Sequence, residues 1–207
     1  MPRVRAADYD AKLLGIVDAA AALFAAAGYS GVRMSQIADA CGVSKSMLYH
    51  YFATKDDLLF FMVKEHLDDL IGSLEDVMAL DYASERDALY AFISEFVVSS
   101  AQARQRNIVL MNDARYLPPE KLAIAEEMQR KVVDLFRHQL KRIKPTLDDS
   151  TLTMHAFFLV GLINWTDSWF NPSGQISQAQ LAEMLTQHFL YGFNSVEQER
   201  AVCEADH

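Results

Sequence analysis

The chain is poor in the residues that staple or break a fold. Only two of its 207 residues are cysteine. Cys41 stands in an apolar-periodic segment and Cys203 in a polar stretch, so neither a disulfide framework nor metal-type spacing is available, and a reducing cytoplasm is the expected setting. Proline occurs only at 2, 118, 119, 145 and 172, which leaves positions 3–117 free of the residue that interrupts helices. The eight glycines fall in no phosphate-loop spacing, and no repeat or low-complexity tract occurs. The longest unbroken apolar run, 19–27, is nine residues. A membrane-spanning helix needs about twenty. No charged-then-apolar leader precedes that run, so no targeting segment is expected.

Groupings that carry catalysis are missing as well. No carboxylate pair, Cys/His arrangement or metal-spaced cluster appears among the six histidines, so neither an enzyme, nor a cofactor, nor a metal is expected. There is no excess of positive charge either. Lys and Arg number 19 against 28 Asp and Glu, for a net charge of −9. The deficit is unevenly spread: positions 1–65 hold seven basic and seven acidic side chains, so the whole imbalance belongs to the remainder. A neutral head on an acidic body argues that any contact with a polyanion is made through the head alone.

What is present is apolar periodicity. Apolar residues make up 51% of the chain, ample for one large or two small cores. Leu13, Ile16, Val17, Ala20, Leu23, Phe24 and Ala27 recur at three- and four-residue steps and predict a first helix, closed by Gly28. Ile37, Ala38 and Cys41 give the inward face of a short second helix, Gly42 permits the positive backbone angle of a turn, and Val43 drops back into the core. Ser44 caps a third helix in which Leu48 and Phe52 dock inward while Lys45, Ser46, Met47, Tyr49 and His50 face elsewhere. Thr54 and Asp57 form a capping box that opens a fourth helix through Leu58, Leu59, Met62 and Val63. Two short helices joined by a turn are the means by which many proteins place a helix end in the DNA major groove.

The ordered set Ala19-Ala20, Leu23-Phe24, Gly28-Tyr29, Ile37-Ala38, Gly42-Val43-Ser44, Leu48-Tyr49-His50-Tyr51-Phe52, Lys55 and Leu58-Leu59 resembles the DNA-binding head of the TetR/AcrR family of bacterial repressors. The resemblance implies an all-α, nine-helix protein. A three-helix helix-turn-helix head would occupy 1–55, with its motif at 33–52, followed by a ligand-binding and dimerisation domain at 56–194 and a polar tail at 195–207. One position departs from the pattern. Arg33 stands where the family carries the Ser or Thr that caps the second helix, so either another group supplies the cap or the guanidinium reaches a DNA phosphate. The DNA-contacting set is then Arg33, Ser35, Ser44, Lys45, Ser46, Met47, Tyr49, His50, Tyr51 and Lys55. Tyr49, His50 and Tyr51 could close the head's core, but they cannot all face inward on one helical turn, so at least two are expected to reach phosphate or sugar. Lys55 sits in the first helical turn, where the dipole disfavours a cation and a phosphate partner would offset the mismatch. Arg3 and Arg5 form either a free arm or a minor-groove contact.

The rest reads as helices with short punctuation. The fourth is expected to run to about 80, a fifth from the Ser84/Asp87 capping box to about 103, a sixth over 107–116 and a seventh to about 143. Asp148 or Asp149 opens an eighth, apolar nearly all round at 156–165, which predicts neighbours on every side. Ser177 with Gln180 caps a ninth, and the stretch from 194 is expected to fray.

Trp165, Trp169-Phe170, Pro172, Gly174, Ile176-Ser177 and Gln180 resemble the tryptophan-proline-glycine turn of a TetR branch that includes repressors of steroid-ring degradation and other acyl-CoA-responsive regulators. That resemblance implies a homodimer built on the last two helices, an inverted-repeat DNA operator, and an effector such as an aromatic acyl-CoA; a lipophilic drug is the alternative effector. Outside this class the alternative is a helical protein-interaction module. Candidate ligand residues are Asn112, Arg115, His155, Trp165 and Trp169, with Arg104, Arg106, Arg115, Lys121 and Arg130 as the nearest cations for CoA phosphates. For His155 and Asn164, hydrogen bonding between helices or protomers competes with ligand contact, and the two tryptophans fit a dimer seam as well as a pocket.

Overall fold

The computed structural model describes backbone from Pro2 to Ala205 and side chains over 9–192. Arg3, Arg5, Cys203 and the expected tail at 195–207 lie outside the residues whose side chains are described. Among the described residues there are nine α-helices and no strand. They are α1 (Pro2–Ala27), α2 (Met34–Cys41), α3 (Lys45–Tyr51), α4 (Lys55–Met78), α5 (Glu85–Gln102), α6 (Arg104–Asp113), α7 (Pro119–Ile143), α8 (Asp149–Thr166) and α9 (Gln178–Ala205), with 3-10 turns at Tyr29–Gly31 and Ala114–Tyr116.

The local signals act as read. Gly28 takes φ 72° and its N–H closes α1 on the Phe24 carbonyl at 2.8 Å; Gly42, at φ 65°, ends α2 in the left-handed region. Ser44 Oγ accepts the Met47 N–H at 3.1 Å, and Thr54 and Asp57 exchange hydrogen bonds as a capping box. Asp148 caps α8 through the Thr151 N–H at 2.9 Å, and Ser177 and Gln180 cap α9 reciprocally. The sixth helix differs from expectation. It starts three residues earlier, at Arg104, and its expected end at 114–116 tightens into a 3-10 turn before Leu117-Pro118.

The chain divides into two compact units, one of residues 1–69 with 103–129, the other of 70–102 with 130–207. The first unit buries Ile16, Val17, Ala20 and Phe24 of α1, Ile37 and Ala38 of α2, Leu48 of α3, Leu58, Leu59, Met62 and Val63 of α4, and Val109 and Leu110 of α6. Each large aliphatic or aromatic side chain so buried is worth about 1.5–3 kcal/mol relative to exposure. The small helices α2 and α3 therefore hold their place by docking Ile37 and Leu48, which are fully buried, onto the longer ones. The second unit is centred on Phe92 and Phe96 of α5 against Phe136 of α7, edge to face at centroid distances of 4.7 and 5.2 Å, joined by Leu152, Leu159 and Ile163 of α8.

Helix α8 corrects the expectation of neighbours on all sides. Leu152, Ala156, Leu159 and Ile163 are buried, whereas Met154, Phe157, Phe158, Leu162 and Trp165 are at least half exposed. Hydrophobic periodicity is silent where nearly every residue is apolar, so it could not separate the two faces.

Candidate nucleic-acid interface

The start of α2, the first two turns of α3 and the entry to α4 surround a concavity of about 660 Å³. Arg33, Met34 and Ser35 line one side, Lys45 and Tyr49 another, and Ala53, Thr54 and Lys55 its end, with Ser30 and Val32 completing it. Among the described residues, three cations and no carboxylate line it. Such a surface suits a polyanion, since an unopposed cation in a concave wall focuses positive potential where a phosphate would sit.

Each side chain has a local reason for its place. Helix α3 turns Leu48 inward, which leaves Lys45, Ser46, Met47, Tyr49 and His50 outward, and all five are exposed. Ser44 is spent on its cap. Arg33 is exposed and occupies the cap position of α2. A guanidinium has no acceptor lone pair, so it cannot cap; instead Gln36 Oε1 accepts the Arg33 N–H at 2.9 Å. The cap duty has passed to Gln36, and the Arg33 side chain is left to the concavity.

Two members of the sequence-derived set have intramolecular partners. The half-buried Tyr51 stacks on Tyr9 of α1 at 4.6 Å. Lys55 Nζ donates to the Tyr29 and Val32 carbonyls at 2.8 Å each and lies 4.0 Å from the Tyr29 ring centroid. Two carbonyls and a π face offset the unfavourable helix dipole that had suggested a phosphate.

The ligand candidates do not converge on one cavity. Asn112 is exposed and donates to the Ile108 carbonyl of its own helix; Arg115 is exposed and stacks over Tyr116. His155 is half-buried between the Phe158 and Phe189 rings, and burial holds its imidazole below the ordinary range. Trp165 and Trp169 are 70% and 58% exposed. A concavity of about 390 Å³ in the second unit is lined by Met78, Leu135, His138, Leu152 and several ion-paired residues of α7, and none of the five candidates lines it. Of the cations expected for CoA, Arg106 pairs with Asp18 and Glu65, and Lys121 with Asp57.

Sequence reading missed three groups. Gln36 could have been found from its three-residue spacing to the cap position. Asp113, buried and accepting the Tyr29 N–H at 3.1 Å across 84 positions, has no local signal. Nor does Ser100, whose hydroxyl is buried without a hydrogen-bond partner among the described residues.

Residues 16–61 match the family model described as bacterial regulatory proteins, tetR family, and 82–193 match the tetracyclin repressor-like C-terminal domain. A TetR-family transcriptional regulator from Bordetella parapertussis 12822 has a similar structure, with a TM-score of 0.81 and 30% identity over 84% of this chain and 92% of that one. AibR, solved in complex with isovaleryl coenzyme A and operator DNA, gives a TM-score of 0.73 at 25% identity over 84% and 96% of the two chains. Among curated proteins the transcriptional repressor KstR2 of Rhodococcus jostii (strain RHA1) is 25% identical over 87% of this chain and 90% of its own length. Helix-turn-helix geometry, an unopposed cationic concavity and matches covering both halves agree: the chain belongs to the TetR family of bacterial transcriptional regulators.

Proposed function

We propose that this protein is a homodimeric repressor that holds an inverted-repeat operator through Arg33, Ser35, Lys45 and Tyr49, with Ser46, Met47 and His50 on the outward side of α3, and lets go when a CoA thioester enters its body. The observation that carries the DNA part is the cation-lined concavity, at which α2, α3 and the start of α4 meet. The exposed aromatic face of α8 supports the dimer, because Phe157, Phe158, Leu162 and Trp165 together form an apolar patch that a soluble monomer rarely leaves in water. Two-fold symmetry then demands symmetric DNA, with half-sites about 34–36 Å apart or a multiple of that distance.

The effector class is supported by likeness to AibR, whose complex contains isovaleryl coenzyme A, and by weaker likeness to the fatty acid metabolism regulator protein of Bacillus subtilis (strain 168), 29% identical over 48% of this chain and 56% of its own length. In the second unit, the Ser100 hydroxyl follows Phe96 by one turn on the buried face of α5. A polar atom of an acyl group would satisfy it. Helix α4 is continuous from Lys55 at the concavity to Met78 and is the covalent route between effector and DNA face. Release follows from population shift: a hundredfold loss of DNA affinity needs about 2.7 kcal/mol of differential effector binding.

Titration decides the effector. Isovaleryl-CoA, phenylacetyl-CoA, free CoA and a neutral lipophilic drug are added to the protein on a labelled duplex that it has selected from a random library. Release by a thioester at micromolar concentration, and not by free CoA, is expected. Release by the neutral hydrophobe alone would replace the thioester with a drug-like effector.

A further inference from the structure

The 3-10 turn at Tyr29–Gly31 is gripped from two separate helices. Its first residue, Tyr29, is buried, and its N–H, which the turn itself leaves without an acceptor, donates to Asp113 Oδ2 at the end of α6. Its hydroxyl donates to Asp56, and its ring stacks on Tyr116 at 5.7 Å. Its carbonyl, together with that of Val32, accepts from Lys55. Arg33 follows Val32 directly and stands at the cap position of α2.

We infer that Lys55 and Asp113 are positioning residues of the DNA-reading face: they fix the 28–32 turn from α4 and from the end of α6, and so set the place from which Arg33, Ser35 and Lys45 meet DNA. The inference rests on the DNA-binding reading above and assigns Lys55 a different task from the phosphate contact that its sequence position suggested. An ammonium has three N–H bonds, and Lys55 spends two on carbonyls with the Tyr29 π face alongside. Asp113, 5% exposed, is the acceptor for a buried N–H. Removing it strands a donor in the core. The neutral amide of Asn keeps an acceptor oxygen in the same place.

The test measures affinity against salt concentration on one duplex, selected by the unmodified protein from a random-sequence library, at a temperature where circular dichroism shows every variant folded. Lys55→Met is expected to weaken binding about tenfold at all salt concentrations along a parallel line, whereas Arg33→Ala lowers the salt slope by about 0.9 for each phosphate that the protein no longer neutralises. Lys55→Arg, whose guanidinium can span both carbonyls, should recover most of the affinity. Asp113→Ala should weaken binding about tenfold, and Asp113→Asn should stay within about twofold of the unmodified protein. A salt slope that falls in Lys55→Met as it does in Arg33→Ala overturns the assignment of Lys55. Unchanged affinity in folded Asp113→Ala overturns that of Asp113. An unmodified protein that selects no duplex overturns the DNA reading itself, a result distinct from either of these.

Discussion

Two surfaces of this molecule are both exposed and chemically opposite. The head presents Arg33, Lys45 and Tyr49 around a concave wall with no carboxylate among the described residues, while α8 presents Phe157, Phe158, Leu162 and Trp165 with no charge among them. Exposure alone therefore says little about role. A wet cationic hollow keeps its hydration until an anion displaces it, whereas an aromatic face is unfavourable in water at all times and favours a permanent cover. The first surface suits a reversible, salt-sensitive partner and the second a constant one.

The comparison breaks most visibly at the aromatic face. Phe158→Asp is expected to leave a folded monomer at micromolar concentration by sedimentation and to abolish tight binding to a two-half-site duplex, because a charge in an interface core has no partner. Trp165→Ala should weaken self-association at least about thirtyfold, the scale of a central aromatic anchor. An unchanged dimer in both variants would assign the seam elsewhere.

At the head the effects are smaller and read differently. Lys45→Ala is expected to weaken binding about tenfold and either to lower the salt slope or to relax preference at one base position; a protein unchanged in both respects removes Lys45 from the DNA-binding set. Ser44→Ala should cost about 1 kcal/mol through loss of the α3 cap, seen as a lower Tm and faster amide exchange in α3.

The smallest expected effect concerns pH within the first unit. His66 of α4 is buried and lies 3.4 Å from Asn107 Oδ1, and burial holds its imidazole below the ordinary 6.5. The unfolded chain takes up the proton first as pH falls, so stability present above pH 6.5 is lost as the pH drops through 6.5 toward the folded value. A His66→Gln variant should show a flatter Tm profile between about pH 7 and about pH 5, values chosen around that ordinary pKa; an identical slope would mean that other groups carry the acid sensitivity.

How much of this is legible in the sequence depends on distance along the chain. Gly28, Gly42, Ser44, the Thr54/Asp57 box and the Ser177/Gln180 box act within four residues, and each is readable. The break between α5 and α6 is not. It falls at Ala103, with φ −102° and ψ 25° and neither proline nor glycine to announce it, so periodicity and capping place the sixth helix three residues late. Half of the concavity's lining, Arg33, Ser35, Lys45, Tyr49 and Lys55, is legible, because a helix-turn-helix brings α2 and α3 together within a few turns.

Apart from the start of α6 and the Gln36 cap of α2, the sequence by itself determined the helices, their caps, the order of the head and the family, because each of those is specified by spacings of a few residues and by which side chains can satisfy orphan backbone groups. Tertiary structure decided the partners. Lys55 has the sequence position of a phosphate ligand, but the fold brings against it the carbonyls of Tyr29 and Val32, 26 and 23 positions away. Asp113 has the setting of a surface acid on a short helix, and burial against Tyr29 makes it a support. Helix α8 has the composition of a buried helix, yet packing covers one face and leaves the other in water. Charge and hydrophobicity are properties of residues, but what satisfies them depends on neighbours that only the folded chain supplies.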